Sequence, residues 1–112
     1  MAGTVLATQK LSGREPGVAP NYQAATAQME LPNQAPTLLH VKNGSGAPIN
    51  VTATNQTASP EGSANPNKVT AVPAGGEMII RYDPGTYNMG NGNVQLAFSA
   101  TATVTVASYQ LP

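Results

Sequence analysis

The residues that can do chemistry are few in this chain. There is one histidine, His40, and there are five carboxylates: Glu15, Glu30, Glu61, Glu77 and Asp83. None of the carboxylates lies near His40 in sequence. A zinc site needs several ligands that converge on one point, and a single imidazole on a strand does not supply them. A Ser-His-Asp relay needs an exposed nucleophile, and no Gly-x-Ser-x-Gly turn is present to hold one. There is no cysteine, so no thiolate nucleophile, thiolate metal site or disulfide is possible. His40 is therefore expected to be structural. No catalytic, cofactor-binding or metal-binding residue is assigned.

Two glycine-rich stretches also fail as ligand cradles. Gly75-Gly76 falls between two strand patterns and not ahead of a helix, so it is no dinucleotide loop. The run Asn88-Met89-Gly90-Asn91-Gly92-Asn93 offers amide oxygens but lacks the acidic side chains of a calcium loop. Its Gly and Asn suit a turn with positive φ. Glu77 and Arg81 share one parity of a strand pattern, four residues apart and about 13 Å along it. They are too far apart to pair with each other, and each is free to pair across a sheet or across an interface.

The elements that must carry these residues are strands. The chain has 112 residues with 11 Gly, 10 Pro, one Phe, four Tyr and no Trp. Its apolar residues are mostly Ala and Val, which suits a thin core between two sheets. Lys and Arg number 5 and Asp and Glu number 5, so the net charge is zero and charged residues are only 9%. An ordinary soluble domain carries about 25%. No basic excess exists to neutralise phosphates, and no polybasic patch exists for an anionic membrane. Neither nucleic acid nor membrane is an expected partner. A neutral, weakly charged surface instead favours association with other proteins.

From residue 37 onward the pattern is all-β. Leu38, Leu39 and Val41 lead into the turn signal Asn43-Gly44-Ser45-Gly46, and Ile49, Val51 and Ala53 alternate with polar residues beyond it. The two runs read as a hairpin. A polar loop follows over residues 56–67. Strands are expected at 68–72, 77–82, 94–98 and 103–111, with turns at Pro73-Ala74-Gly75-Gly76 and Asp83-Pro84-Gly85. In 77–82, Met78 and Ile80 share one face and Ile79 takes the other, so this strand is either covered on both faces or set against a neighbouring chain. Lys42 and Lys68 keep strands soluble and discourage edge pairing. Six strands at this spacing indicate a small antiparallel β-sandwich or barrel-like domain over residues 37–112.

Residues 1–36 read differently. Pro16, Pro20, Pro32 and Pro36 exclude a continuous helix, while residues 22–31 have fair helix propensity. The expectation is an extended, largely irregular N-terminal arm that lies on a partner. Residues 5–11 are the candidate strand for addition to a neighbour's sheet edge. Val5, Leu6, Leu11, Tyr22, Met29 and Leu31 are the candidate interface residues.

Residues 37–111 resemble a known group. The stretch Thr37-Leu38-Leu39-His40-Val41-Lys42-Asn43-Gly44-Ser45-Gly46-Ala47 is followed by an alternating Val-Thr strand. Val72-Pro73-Ala74-Gly75-Gly76-Glu77, Pro84-Gly85-Thr86-Tyr87 and an Asn-Gly loop come next, then a Val-x-Leu-x-Phe-Ser strand and a final Val-Ala-x-x-x-Leu strand. The pattern resembles small virion proteins of tailed bacteriophages, of the capsid decoration or cement type. The resemblance implies a non-enzymatic structural protein on the outer surface of the capsid. Its partners would be the major capsid protein and other copies of itself, as a dimer or trimer at a lattice axis. A head–tail connector, neck or tail component is the alternative within the virion. A carbohydrate-binding β-sandwich is a third reading, and with no Trp its aromatic platforms would have to come from Tyr22, Tyr82, Tyr87 and Tyr109, with Tyr22 and Tyr87 the ones to substitute.

Overall fold

The computed structural model describes residues 4–11, 19–57, 61–62 and 65–111. Glu15, Pro16 and Pro60, and part of the polar loop over 56–67, lie outside the described residues. The described residues form ten strands: β1 (Thr4–Val5), β2 (Thr8–Lys10), β3 (Gln23–Ala24), β4 (Gln28–Pro32), β5 (Thr37–Asn43), β6 (Ile49–Ala53), β7 (Lys68–Val72), β8 (Glu77–Arg81), β9 (Asn93–Phe98) and β10 (Val104–Gln110). One helical turn, α1 (Pro84–Tyr87), follows β8. The strands make two sheets. The first has the order β1-β4-β9-β6-β7, and the second has β2-β10-β5-β8 with β3 also on β10. The fold is a β-sandwich, and the six strands expected beyond residue 37 are all present.

The core lies between the sheets and is built by alternation. In β5, Leu39 and Val41 are fully buried while Leu38, His40 and Lys42 are half-buried on the other face. Val51 and Ala53 of β6, Val94, Leu96 and Phe98 of β9, and Val104 and Val106 of β10 complete it. Small β-branched side chains dominate, as a pleated, half-buried surface prefers.

Three expectations are corrected. The first concerns residues 1–36: the described part of this range supplies β1 to β4 to the two sheets and is not an arm outside the domain. Residues 28–32 form β4, an interior strand between β1 and β9, with register Met29↔Leu96 and Leu31↔Val94. Met29 and Leu31 are fully buried. The segment with helix propensity is extended because Met29 and Leu31 alternate with Gln28, Glu30 and Pro32. Burying that stripe outweighs propensity differences of a few tenths of a kcal/mol per residue.

The second concerns residues 37–54. β5 and β6 do not pair as a hairpin, since β5 lies in the second sheet and β6 in the first. The connection is an arch, and Asn43 shapes it. Its buried side-chain amide accepts from Ser45 N at 3.0 Å and from Ser45 Oγ at 2.6 Å. It donates to Ala47 O at 2.8 Å and reaches Val72 O and Pro73 O at 3.2 Å each. The turn's hydrogen bonds thus go to a side chain, and the chain is released to cross the sandwich.

The third concerns strand direction. The sheets are mixed, because β1 runs parallel to β4 and β2 parallel to β10.

Candidate interaction surface

The two flanks of the sandwich differ. On one flank the N-terminal segment switches sheets: β1 ends the first sheet and, two residues later, β2 ends the second. Leu6 lies between them and is only 2% exposed, closing the gap between the sheets. Its backbone N–H donates to Glu30 O at 2.9 Å. Thr8 and Ser108 share a hydroxyl hydrogen bond of 2.8 Å, and Leu11 N donates to Gln110 O at 2.8 Å. Gln9 holds the returning chain, donating to Ala19 O at 2.9 Å and accepting from Asn21 N at 3.0 Å.

The expected interface residues are therefore divided. Leu6, Met29 and Leu31 are core, and cannot be contacts for another protein while the fold is intact. Val5 is 54% exposed on the edge strand β1, and Leu11 and Tyr22 are half-buried. Residues 5–11 do add strands to sheet edges, but the edges belong to their own chain.

On the opposite flank β7 ends the first sheet and β8 ends the second. Among the described residues no strand pairs with the outer edge of either. Val69 on β7 is 57% exposed, and on β8 Ile79 is 66% and Met78 36% exposed. Lys68 bridges the two strands at one end: its Nζ donates to Arg81 O at 3.1 Å and lies 5.1 Å from the centre of the Tyr82 ring. Exposed apolar edge strands with unpaired backbone are templates for another strand.

The outer face of the second sheet gathers most of the polar chemistry. His40 Nε2 is 2.6 Å from Glu77 Oε1, and Tyr22 Oη is 3.3 Å from His40 Nδ1. The Tyr22 and His40 rings meet edge to face at 5.5 Å, and Lys42 Nζ sits 4.9 Å from the centre of the Tyr22 ring. Tyr109 is close by, and its hydroxyl pKa is raised above the ordinary value by burial and then by the neighbouring Tyr22 phenol. This cluster is not visible in the sequence, because the register His40↔Ile79 and Lys42↔Glu77 that assembles it is a property of the sheet.

The cluster has the order carboxylate, imidazole, hydroxyl. With a proton on Nε2 and a free lone pair on Nδ1, the His40 ring satisfies all three groups: it donates to Glu77 and accepts from Tyr22. Both ring nitrogens are then engaged within the cluster. The arrangement pins the chain before β3 to β5 and β8. The tyrosines of the carbohydrate reading are also engaged. Lys42 lies over the Tyr22 ring, and Tyr87 packs edge to face on Tyr82 at 5.6 Å against the core.

Two open depressions accompany these features. One of about 280 Å³ is lined by Arg81, Tyr82, Asp83 and Pro84. The other, about 160 Å³, lies between Lys42, Glu77, Gly75, Gly76 and Thr103. Among the described residues no three of His, Asp and Glu converge on a common point.

Buried polar groups tie the loops to this frame. Glu30 points outward from β4 yet is only 3% exposed, because the loop before β9 covers it. Asn93 Nδ2 donates to its Oε1 at 3.0 Å and Asn91 Nδ2 at 3.4 Å. The Asn-Gly loop, read from sequence as a flexible turn, is thus folded onto a carboxylate. Gly92 is favoured there by its φ of +86°, which side-chain-bearing residues rarely adopt, and a Cβ would also displace the Gln34 side chain. No family model, curated protein or solved structure matches this chain.

Proposed function

We propose that this protein is a structural subunit that attaches to a larger protein assembly through its open flank, and that it does no chemistry of its own. The assembly suggested by the resemblance of residues 37–111 is the capsid of a tailed bacteriophage, where the protein acts as a decoration or cement protein on the outer surface. The observation that carries attachment is the asymmetry of the two flanks. Among the described residues both flanks end in strands that pair on one side only, but β1 and β2 are two and three residues long with Leu6 filling the gap between them, while β7 and β8 are five residues each and expose Val69, Met78 and Ile79. A strand edge gives main-chain hydrogen bonds, and alternate side chains give selectivity. Each contact is modest, and many copies on one lattice act together.

The test is to purify particles that contain the chain and count its copies by quantitative mass spectrometry. Hundreds of copies per particle are expected of a capsid-bound subunit. A count of about a dozen, as in a ring at a symmetry axis, would instead identify a head–tail or tail component. Absence from purified particles would remove the virion reading altogether.

A further inference from the structure

The open edge of β8 is self-complementary. Asn43 N donates to Gly76 O at 2.9 Å, which fixes the phase of the β5–β8 ladder. In an antiparallel ladder, hydrogen-bonded and non-bonded pairs alternate. With the register Val41↔Met78 and Leu39↔Ile80, the backbones of Met78 and Ile80 therefore face β5. Those of Glu77, Ile79 and Arg81 face away. Lys68 confirms this phase, since from β7 it reaches the Arg81 carbonyl on that outer side.

The same three residues point their side chains to the outer face, with Glu77 at one end, Ile79 in the middle and Arg81 at the other. A two-fold axis through Ile79, perpendicular to the sheet, lays β8 antiparallel on a second β8. Ile79 then faces the partner's Ile79, Glu77 faces the partner's Arg81, and Arg81 faces the partner's Glu77. Every facing pair has its N–H and C=O groups turned to the seam. Opposite charges meet at both ends, and Ile79, the most exposed large apolar side chain among the described residues, is covered at the centre. The Arg81 carbonyl keeps Lys68 on one lone pair and has another for the partner's Glu77 N–H. Glu77 keeps His40 on Oε1 and has Oε2 for the partner's Arg81.

We infer that two copies of this chain pair through β8 in antiparallel register centred on Ile79, joining their second sheets into one continuous sheet. The inference rests on the open-flank reading and names its occupant. A strand pairing to itself in this way closes only with two-fold symmetry, so the unit is a dimer and not a trimer.

The chain has no cysteine, so single cysteines report the register. Facing residues in a hydrogen-bonded pair have Cα atoms about 5.5 Å apart, within the span of a disulfide. Full-length Ile79→Cys should oxidise to a covalent dimer under mild conditions, and Ala102→Cys, in an exposed turn, should not. Sedimentation of the wild type from about 1 µM to about 1 mM should show a monomer–dimer equilibrium. Ile79→Lys places two ammonium groups at the axis and should abolish the dimer. Glu77→Arg should weaken association about tenfold, and Glu77→Arg with Arg81→Glu should restore it by exchanging the ends. Circular dichroism checks that each variant is folded.

A wild type that stays monomeric over the whole range, a trimer, or equal cross-linking at 79 and 102 overturns the inference. If the dimer is absent but Ile79→Lys still removes the chain from particles, the flank takes a strand of another protein; the dimer is then wrong and the proposed function stands. If Ile79→Lys leaves incorporation into particles unchanged while abolishing the dimer, the dimer stands and attachment through this flank is wrong.

Discussion

Asn33 and Asn88 hold each other across 55 residues of chain. Asn33 Nδ2 donates to Asn88 Oδ1 at 2.7 Å, and Asn88 Nδ2 donates back to the Asn33 carbonyl at 2.9 Å. Asn33 Nδ2 also reaches Tyr82 O at 3.2 Å, and the Asn33 backbone N–H donates to Gly92 O at 3.1 Å. Asn33 is 1% exposed, so each of these bonds replaces one that water would otherwise make. Asn33→Ala takes the donor from Asn88 Oδ1 and from the Tyr82 carbonyl, while the two bonds made by the Asn33 backbone remain. It is expected to lower unfolding stability by about 2 kcal/mol in urea titrations.

Removing residues 1–31 deletes β1, β2, β3 and most of β4, and with them the buried Leu6, Met29 and Leu31. Burial of the larger apolar side chains contributes about 1.5–3 kcal/mol each, against a total stability of about 5–15 kcal/mol for a domain. The fragment is expected to show no cooperative thermal transition. A cooperative transition close to that of the full chain would restore the arm-and-domain division. Leu31→Ala in the full chain should cost about 2–5 kcal/mol.

Tyr82 carries a hydroxyl that is buried and has no hydrogen-bond partner among the described residues. Burial pushes its pKa well above the ordinary value of 10.0, and the nearby Tyr87 phenol adds to this. The folded state then holds the proton more tightly than the unfolded chain does. Stability from this source is full below pH 10 and is lost as pH rises from there toward the folded-state pKa. Tyr82→Phe removes both the stranded hydroxyl and this loss. It is expected to be neutral or to stabilise by up to about 1 kcal/mol at pH 7, with a larger relative gain above pH 10. Chemical denaturation at the two pH values checks it.

Thr103 has φ +56°, the left-handed region that β-branched residues avoid. It is held there by Gly44, whose N–H donates to Thr103 O at 2.9 Å. Gly44 has no room for a side chain, since a Cβ would come 2.9 Å from the same oxygen. Thr103→Asn keeps a polar side chain and suits the left-handed region better. A gain of about 0.5–1 kcal/mol is expected. Gly44→Ala should instead destabilise, and thermal melts of the two variants should move in opposite directions.

The strands beyond residue 37 were legible because each is a single run of alternation between turn residues. Val94, Leu96 and Phe98 need no distant information to declare a strand, and neither do Ile49, Val51 and Ala53. Met29 and Leu31 carried the same alternation, but over five residues flanked by prolines and among good helix formers, where propensity masked it. β1 and β3 are two residues long, too short for any period. The sheet switch at Asn43 was hidden because a turn signal marks where a chain bends and not which sheet it enters. The Tyr22–His40–Glu77 cluster and the cover over Glu30 depend on register between strands distant in sequence. What was legible of the proposed interface was local: Ile79 opposed in face to Met78 and Ile80, with Glu77 and Arg81 in phase on one strand.

The sealed flank sets the order in which the molecule can be finished. β2 lies on β10 with Thr8 beside Ser108, so a strand made among the first residues waits for one made a hundred residues later. During synthesis β10 is missing, and residues 8–10 have no sheet to join. The second sheet then lacks its central strand, and β5 has only β8 beside it. Closure is therefore a late and non-local event, which slows folding and prolongs exposure of the nascent strands. Until β10 arrives, the unpaired strands are open to neighbouring chains, so crowding of translating copies is the stage at which this protein is most exposed to wrong association.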